Sequence, residues 1–326
     1  MDSRVSERYS RQVVLPEVGA SGQARLAAAA VAVVGAGGLG CAALPYLAAA
    51  GVGRLHIIDH DRVAESNLHR QPLYRMSDLG ARKAEAARAA LLALNPTLHI
   101  DAVPERLTPA NAAAVAAAAD VIVDAADSFA VTYALSDACQ QAGKPLVSAS
   151  VLALAGYVGA FCGGAPSYRA VFPELPRLAG SCAASGVLGT AVAVMGTLQA
   201  HLTLALLLEL EPPVLGRLLS VDFRTLHVGE MSFAQAPEPA ARFAFIAPQQ
   251  VAAADLVIDL RSLAEAPVSP FPAALRIDVE ALERGVQLPE APRIVLCCRT
   301  GIRAWRAARA LDAGGRRNLA LIALGE

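Results

Sequence analysis

The chain of 326 residues carries 28 lysines and arginines against 29 aspartates and glutamates, a formal net charge of −1, and is 55% hydrophobic and 17% charged. Such a length suits a large core plus a smaller appendage, and such a composition excludes an unfolded polar chain. The near-neutral charge leaves no electrostatic footprint for nucleic acid or an anionic membrane surface, while six cysteines without a Cys-x-x-Cys pair, and a polar amino terminus that fits no signal peptide, point to a reducing cytoplasm.

In chain order, Arg8-Tyr-Ser-Arg11-Gln12 reads from composition as surface charge, ahead of a Gly- and Ala-rich stretch that leads as a helix into the first strand. Val31–Gly40 then runs Val-Ala-Val-Val-Gly-Ala-Gly-Gly-Leu-Gly. A β-branched run that breaks into Gly35, Gly37, Gly38 and Gly40, and continues as the Ala/Leu-rich Cys41–Ala50, predicts the strand, tight turn and helix of a nucleotide-binding βαβ unit. Glycine lets the backbone turn sharply and approach phosphate oxygens, and the free N–H groups at the helix start face an anion. A glycine turn with no ligand is the competing reading.

Arg54–Ile58 predicts a second strand that ends in Asp59, placed to accept hydrogen bonds from a ribose hydroxyl. To that point NAD and ATP fit equally. The stretch Asp61-Arg-Val-Ala-Glu-Ser-Asn67-Leu-His-Arg70-Gln71, followed by Lys83 in a helix expected to begin near Asp78, favours ATP. A nicotinamide needs an open apolar slot, whereas two cations and a carboxamide near a phosphate loop suit a triphosphate and its leaving pyrophosphate.

Leu98–Val103 predicts a third strand, Pro109–Ala118 a helix, and Val121–Val123 a fourth strand leading to Asp124-Ala-Ala-Asp127-Ser128. Carboxylates at the carboxyl ends of parallel strands point into the ligand crevice, so Asp127 is the candidate to hold Mg²⁺ on the phosphates. A helix over Phe129–Gly143 precedes two strands, Lys144–Ser150 and Gly156–Cys162, and the sheet is expected to turn from parallel to antiparallel. Ser167–Ser185 predicts a loop carrying Cys182, a thiol that a helix dipole can activate, with a small buried cysteine as the alternative. Gly186–Leu208 approaches the length of a membrane span, but Gln199 and His201 and the lack of flanking basic residues favour a buried or subunit-interface helix. Leu218–Phe223 and Thr225–Val228 predict a hairpin that closes a first domain over residues 1–232.

A Pro- and Ala-rich linker is expected over 233–250, and a second unit over 251–326 with strands at Leu256–Leu260, Arg276–Asp278 and Arg293–Cys297. Cys298 opens the loop Cys298-Arg-Thr-Gly-Ile-Arg303-Ala ahead of a helix over Trp305–Leu311. Backbone N–H groups and the flanking Arg299 and Arg303 favour a thiolate or persulfide there, with a cysteine merely buried at a strand end as the alternative, while Cys297 is expected to be packed and inert.

Arg8-Tyr-Ser-Arg-Gln, Gly-Ala-Gly-Gly-Leu-Gly, Asp59-His-Asp-Arg-Val, Ser66-Asn-Leu-His-Arg-Gln, Lys83, Ala126-Asp127-Ser and Ser181-Cys-Ala-Ala-Ser-Gly-Val-Leu-Gly together resemble the ubiquitin-activating-like (MoeB/ThiF/HesA) adenylyltransferases, over about Arg8 to Val228. Cys298-Arg-Thr-Gly-Ile-Arg-Ala resembles the active loop of a rhodanese, and the two-part layout resembles the MoeZ and Uba4/MOCS3 group. The resemblance implies an α/β fold, a Rossmann-like doubly wound sheet of the E1-like type followed by a small, truncated rhodanese-like α/β domain. It implies a homodimer that adenylates the carboxyl-terminal glycine of a ubiquitin-like sulfur carrier ending in Gly-Gly, with sulfur drawn from a donor such as a cysteine desulfurase or thiosulfate. Gly35, Gly37, Gly38 and Gly40 would line the phosphates and Asp59 the ribose; Asp61, Asn67, Arg70, Gln71 and Lys83 would complete the nucleotide site. Asp127 would hold Mg²⁺, and Arg11 would reach the partner subunit's ATP as an arginine finger.

The sequence departs from the family in three places. Ser167 and Ala170 stand where a zinc-binding Cys-x-x-Cys pair is usual, and a second pair has no counterpart between Phe223 and Arg242, so zinc is not expected. Ser128 replaces the usual Asn. A Gly-His-Ile-Pro-Gly-Ala segment is missing between Asp259 and Cys298. Adenylation followed by sulfur transfer through Cys298, with Cys182 as a second covalent sulfur, is the leading expectation, and adenylation with a degenerate second unit its neighbour. An NAD-dependent oxidoreductase would use the same glycines and a non-catalytic carrier-binding scaffold the same surface. Arg70 and Lys83 weigh against the first, the intact nucleotide set against the second.

Overall fold

The computed structural model describes residues 7–176, 186–239 and 243–325. Its first sheet is seeded by β1 (Ala30–Val34), whose alternating side chains enter two different cores: Val31 and Val33 one, Ala32 and Val34 the other. Burial on both faces is what a central parallel strand requires and what its uninterrupted apolar sequence supplies. The remaining strands are β2 (Arg54–Ile58), β3 (His99–Val103), β4 (Val121–Asp124), β5 (Pro145–Leu152), β6 (Ala155–Cys162), β7 (Arg217–Asp222) and β8 (His227–Ser232). They lie in the order β3-β2-β1-β4-β5-β6-β7-β8, parallel through β5 and antiparallel from there. The strand order reverses between β1 and β4, which opens a crevice at their carboxyl ends in a doubly wound sheet.

One face is covered by the helix Gly38–Ala50 and the long helix Gly189–Leu208, which meet where Gly196 has no side chain: a Cβ there would lie 2.4 Å from Leu39 O and 2.7 Å from Ala42 Cβ. The long helix is apolar enough to cross a membrane by length and composition, yet 56% of its most apolar stretch is buried. Its Gln199 is buried at the strand ends, donating from Nε2 to Asp124 O at 2.7 Å. The other face carries Ala112–Ala117 and Phe129–Ala142.

The second hairpin strand is His227–Ser232 rather than Thr225–Val228, and the second strand of the second unit is Leu275–Arg276 rather than Arg276–Asp278. Three further boundaries differ from expectation for local reasons. The helix bearing Lys83 begins at Lys83 itself; Met76–Asp78 is a separate 3-10 turn, and Gly80 at φ +82° separates the two. The expected loop after Pro166 contains a helical turn, Tyr168–Val171, and the expected linker over 233–250 contributes β9 (Ala244–Phe245) to a second sheet. That sheet is wholly parallel, in the order β11-β10-β12-β13-β9, with β10 (Leu256–Asp259), β11 (Leu275–Arg276), β12 (Ile294–Cys298) and β13 (Leu319–Ala323). Neither β9 nor β13 follows from the sequence reading.

The two sheets share a core. Tyr133 packs at a tilt 5.5 Å from Trp305 and 6.3 Å from Phe245, and Arg169, 1% exposed, lies over Tyr133 at 4.6 Å. Its guanidinium holds the Asp137 carboxylate at 2.6 and 2.8 Å and donates to Phe243 O at 3.2 Å, which satisfies a charge that burial would otherwise make costly. At Ser167, where the resemblance puts a zinc cysteine, the N–H and Oγ both donate to the Glu238 carboxylate at 2.6 Å. A hydrogen-bonded clasp closes the segment there.

Candidate functional site

At the mouth of β1 the glycines are forced by the backbone itself. A Cβ on Gly35, at φ +97°, would sit 2.6 Å from Ala125 O, and one on Gly40 would sit 2.0 Å from Gly35 O. A Cβ on Gly37 would meet only Gln71 Nε2, at 3.8 Å, and Gly37 caps the helix start without any side-chain hydrogen bond. The first N–H groups of that helix have no partner within it. Here is a cradle that a side chain would fill and that an anion can occupy.

Asp59, buried at the tip of β2, braces the loop: Oδ2 accepts from the Ala36 N–H and Oδ1 from the Asp61 N–H, both at 2.7 Å. Each oxygen retains a lone pair for a ribose hydroxyl. Lys83 is only 4% exposed, and its Nζ lies 2.9 Å from Asp61 Oδ2. Partial burial pushes the Asp61 carboxyl up, but the hydrogen bond and charge of Lys83 outweigh it and hold it below the ordinary range. Tyr74, which the sequence reading did not single out, sits between Ala36 O at 2.7 Å and Lys83 O at 3.3 Å and so joins the glycine loop to the lysine.

Asn67 ends the 3-10 turn Glu65–Asn67, and Arg70 lies in the loop after it, clamped between two helix starts. A Cβ at Gly38 would lie 3.4 Å from Arg70 O, and one at Gly189 would lie 2.5 Å from His69 O. The Arg70 Nη1 rests on His69 Nε2 at 2.8 Å and Ser66 O at 3.3 Å, without a carboxylate partner among the described residues. Gln71 is buried with Oε1 unpartnered beside Gly37. An amide that can be turned over leaves either an acceptor or a donor for the ligand there.

Asp127 is exposed two residues beyond Ala125, the residue that touches Gly35. Beneath it, Asp124 is fully enclosed, accepting from Ser148 Oγ at 2.8 Å and the Ala126 N–H at 3.2 Å. Burial pushes its carboxyl up to about 6 despite the Thr132 and Ser148 hydroxyls. The glycine cradle, the orphaned Gln71 oxygen and the cation pair fit a nucleoside triphosphate, whose oxygens would complete a Mg²⁺ shell around the single carboxylate of Asp127. Among the described residues, Asp59, His60 and Asp61 are the one group whose ligand atoms converge, and Lys83 and Arg106 already face it. Arg11 is exposed on the short helix Ser10–Val13, whose Gln12 is anchored to Gln23 at 2.8 Å and Ala50 O at 3.0 Å.

In the second unit Cys298 is the last residue of β12, not the first of the loop, and is 0% exposed. The Gly301 N–H donates to its Sγ at 3.1 Å, from a glycine at φ +88°. Arg303 donates to Leu260 O at 3.1 Å and forms a two-pronged ion pair with Glu265, one bond being 2.8 Å. Cys297 faces the opposite side of the sheet among Val257, Val295 and Ile322, where burial pushes its thiol up to about 12. Cys182 lies outside the described residues.

Comparison with known proteins places this geometry. The chain is 45% identical over 224 residues to the sulfur carrier protein adenylyltransferase of Thermus thermophilus, covering 66% of this chain and 83% of that one. It is 49% identical over 218 residues to the adenylyltransferase and sulfurtransferase MOCS3 of Bos taurus, covering 66% of this chain but only 48%, about half, of that one. The SAMP-activating enzyme E1 of Haloferax volcanii is 42% identical over 224 residues, 68% of this chain and 83% of its own. Among solved structures, E. coli MccB with ATP superposes with a TM-score of 0.62 at 22% identity over 71% of this chain and 72% of that one, a likeness of fold. The loop glycines, Asp59, Lys83 and Asp127 all fall within residues 9–242, the segment that matches the ThiF family model, and the chain belongs to that family.

Proposed function

We propose that the chain is a sulfur carrier protein adenylyltransferase: it uses Mg²⁺-ATP to convert the carboxyl-terminal glycine of a ubiquitin-like carrier ending in Gly-Gly into an acyl-adenylate, releasing pyrophosphate. The observation that carries this reading is the buried Lys83 ammonium held 2.9 Å from Asp61 beside a glycine loop braced by Asp59. The names of the relatives support the same chemistry. In this reading the carrier carboxylate attacks the α-phosphorus. The N–H groups at Gly37–Gly40 and the cations Lys83 and Arg70 take up charge on the phosphates, Asp59 fixes the ribose, and Asp127 holds the metal, whose part is to neutralise phosphate charge. Arg11, exposed on the helix Ser10–Val13, would serve the ATP of a partner protomer in a homodimer.

Sulfur transfer is the second half of the proposal. A persulfide on Cys298, charged by a donor such as a cysteine desulfurase or thiosulfate, would attack the acyl carbonyl and expel AMP. A second thiol, Cys182 or an external one, would then attack the Cys298 sulfur of the acyl disulfide, releasing the thiocarboxylate and leaving a disulfide to Cys298 that an external thiol reduces. Adenylation alone is the second reading, favoured by the enclosed sulfur and the Arg303–Glu265 pair. We place the protein in the cytoplasm and expect no structural zinc, the Ser167–Glu238 clasp standing in its stead. The test is carrier-dependent exchange of labelled pyrophosphate into ATP. Absence of exchange with every Gly-Gly carrier encoded beside the gene would overturn the reading.

A further inference from the structure

A second link between the two sheets runs past the nucleotide crevice. The carbonyl of Val103, at the end of β3, accepts the Asp59 N–H at 3.1 Å, so the segment leaving β3 passes beside the carboxylates at the tip of β2. Arg106 in that segment is exposed, and its Nη2 lies 2.8 Å from Nε2 of His60, the residue between Asp59 and Asp61. The same guanidinium closes on Gly325, where a Cβ would fall 2.5 Å from Nη1. Gly325 extends β13 along β12: its N–H donates to Arg299 O, and the Leu324 N–H donates to Cys298 O, both at 2.9 Å. One side chain thus joins the residue beside Asp59 to Gly325, which is hydrogen-bonded to Arg299 and follows the residue hydrogen-bonded to Cys298.

Stability does not require this link. The units are already held by the Tyr133–Trp305–Phe245 packing and the buried Arg169, and an exposed guanidinium contact adds little to folding free energy. Its location at two sites at once is what it offers. We propose that Arg106 is a positioning residue that couples the two sites within one chain: nucleotide held at Asp59 fixes His60 and Arg106, Arg106 fixes residues 324–325, and these hold the Cys298 loop in place. A ligand that orders the shared residues meets the ordering cost for the second site as well. The inference rests on the reading of the Asp59 crevice as an ATP site.

The test uses the full chain with Mg²⁺ and the analogue AMPCPP, follows alkylation of Cys298 by iodoacetamide with mass spectrometry, and measures nucleotide retention in parallel by equilibrium dialysis. In the wild type, AMPCPP should slow Cys298 alkylation about fivefold, the low end of the range for coupled sites. Arg106→Ala should lose that effect while still retaining nucleotide, and Arg106→Lys, which keeps the cation but not the fork, should recover part of it. Gly325→Ala, which displaces the guanidinium from the other side, should reproduce the loss and guards against a misfolded Arg106→Ala. Persistence of the AMPCPP effect in both variants would show direct shielding by the nucleotide and overturn the proposal. So would a wild type that binds AMPCPP with no change at Cys298. Failure of the wild type to retain AMPCPP would instead remove the ATP reading itself, and the coupling with it.

Discussion

The loops at the carboxyl ends of β1 and β12 are made from the same parts, a strand, a short turn with a glycine at positive φ, and a helix, but they are finished differently. At Gly35–Gly40 the helix start has no side-chain cap, a Cβ on Gly37 would meet only Gln71 Nε2, and Lys83, Arg70 and Asp127 stand around it. At Cys298–Gly301 the acceptor comes from the chain itself, the cysteine sulfur receiving the Gly301 N–H, and the neighbouring cation is tied to Glu265. The N–H groups of a helix start need a partner with negative charge. The first loop must import one, as the proposed ATP site would; the second already has an acceptor in the Cys298 sulfur.

The largest test of that contrast is removal of the groups around the open loop. Lys83→Ala and Asp127→Ala should each lower carrier-dependent ATP–pyrophosphate exchange by roughly 10²–10³, the usual worth of one preorganised charged group in a transition state. Exchange at the wild-type rate in both variants would mean that the cradle holds something other than a triphosphate.

At the closed loop the expected effects leave pyrophosphate exchange untouched. Cys297, pushed up to about 12 by burial, has almost no thiolate at neutral pH, so Cys298 should alkylate about tenfold faster or more. Cys298→Ala should leave exchange intact and abolish carrier thiocarboxylate formed from persulfidated enzyme. Thiocarboxylate at the normal rate from that variant would move sulfur handling to the first unit, with Cys182 the residue to replace next. Glu265→Gln should free Arg303 and raise the Cys298 alkylation rate by about fivefold at most, because an ion pair exposed by about a third on each side is worth no more than ~1 kcal/mol. No change would show that Leu260 O alone orients the guanidinium.

What could be read in the sequence divides along the same line. The nucleotide loop was legible because its residues are local: a β-branched run, glycines whose absent side chains the turn requires, and an acid at the next strand end. The supporting shell was not. Gln199 reaches Asp124 from a helix 75 positions away, and Tyr74 meets Ala36 across 38, contacts that only the fold creates. In the second unit β13 is a five-residue apolar run beside an arginine pair, too short to separate from the end of the preceding helix, and β9 has two residues in a Pro- and Ala-rich stretch. The flanking arginines of Cys298 were visible, but not that Arg303 already has a carboxylate partner.

Asp124 gives the subtlest test, because it lies beneath the open loop and titrates without facing the ligand. Its native carboxyl is pushed up to about 6, mainly by burial, from an ordinary value of 3.8. Between those values the folded state binds more protons than the unfolded one, so this group adds stability as pH falls through 6 and has given all it can below 3.8. Its contribution between pH 7 and pH 5 is about 1 kcal/mol. Asp61, Asp259 and Glu265, held low by Lys83, Arg261 and Arg303 despite burial, act in the opposite direction and lose stability as acid protonates them. Asp124→Asn should therefore lose about 1 kcal/mol more than the wild type on going from pH 7 to pH 5, read as a steeper fall in the denaturant midpoint over that interval. Parallel curves would mean that Asp124 is ionised throughout. The Ser148 and Thr132 hydroxyls would then be holding a buried anion beneath Asp127, and the electrostatics of the open loop would start one layer deeper than its visible residues.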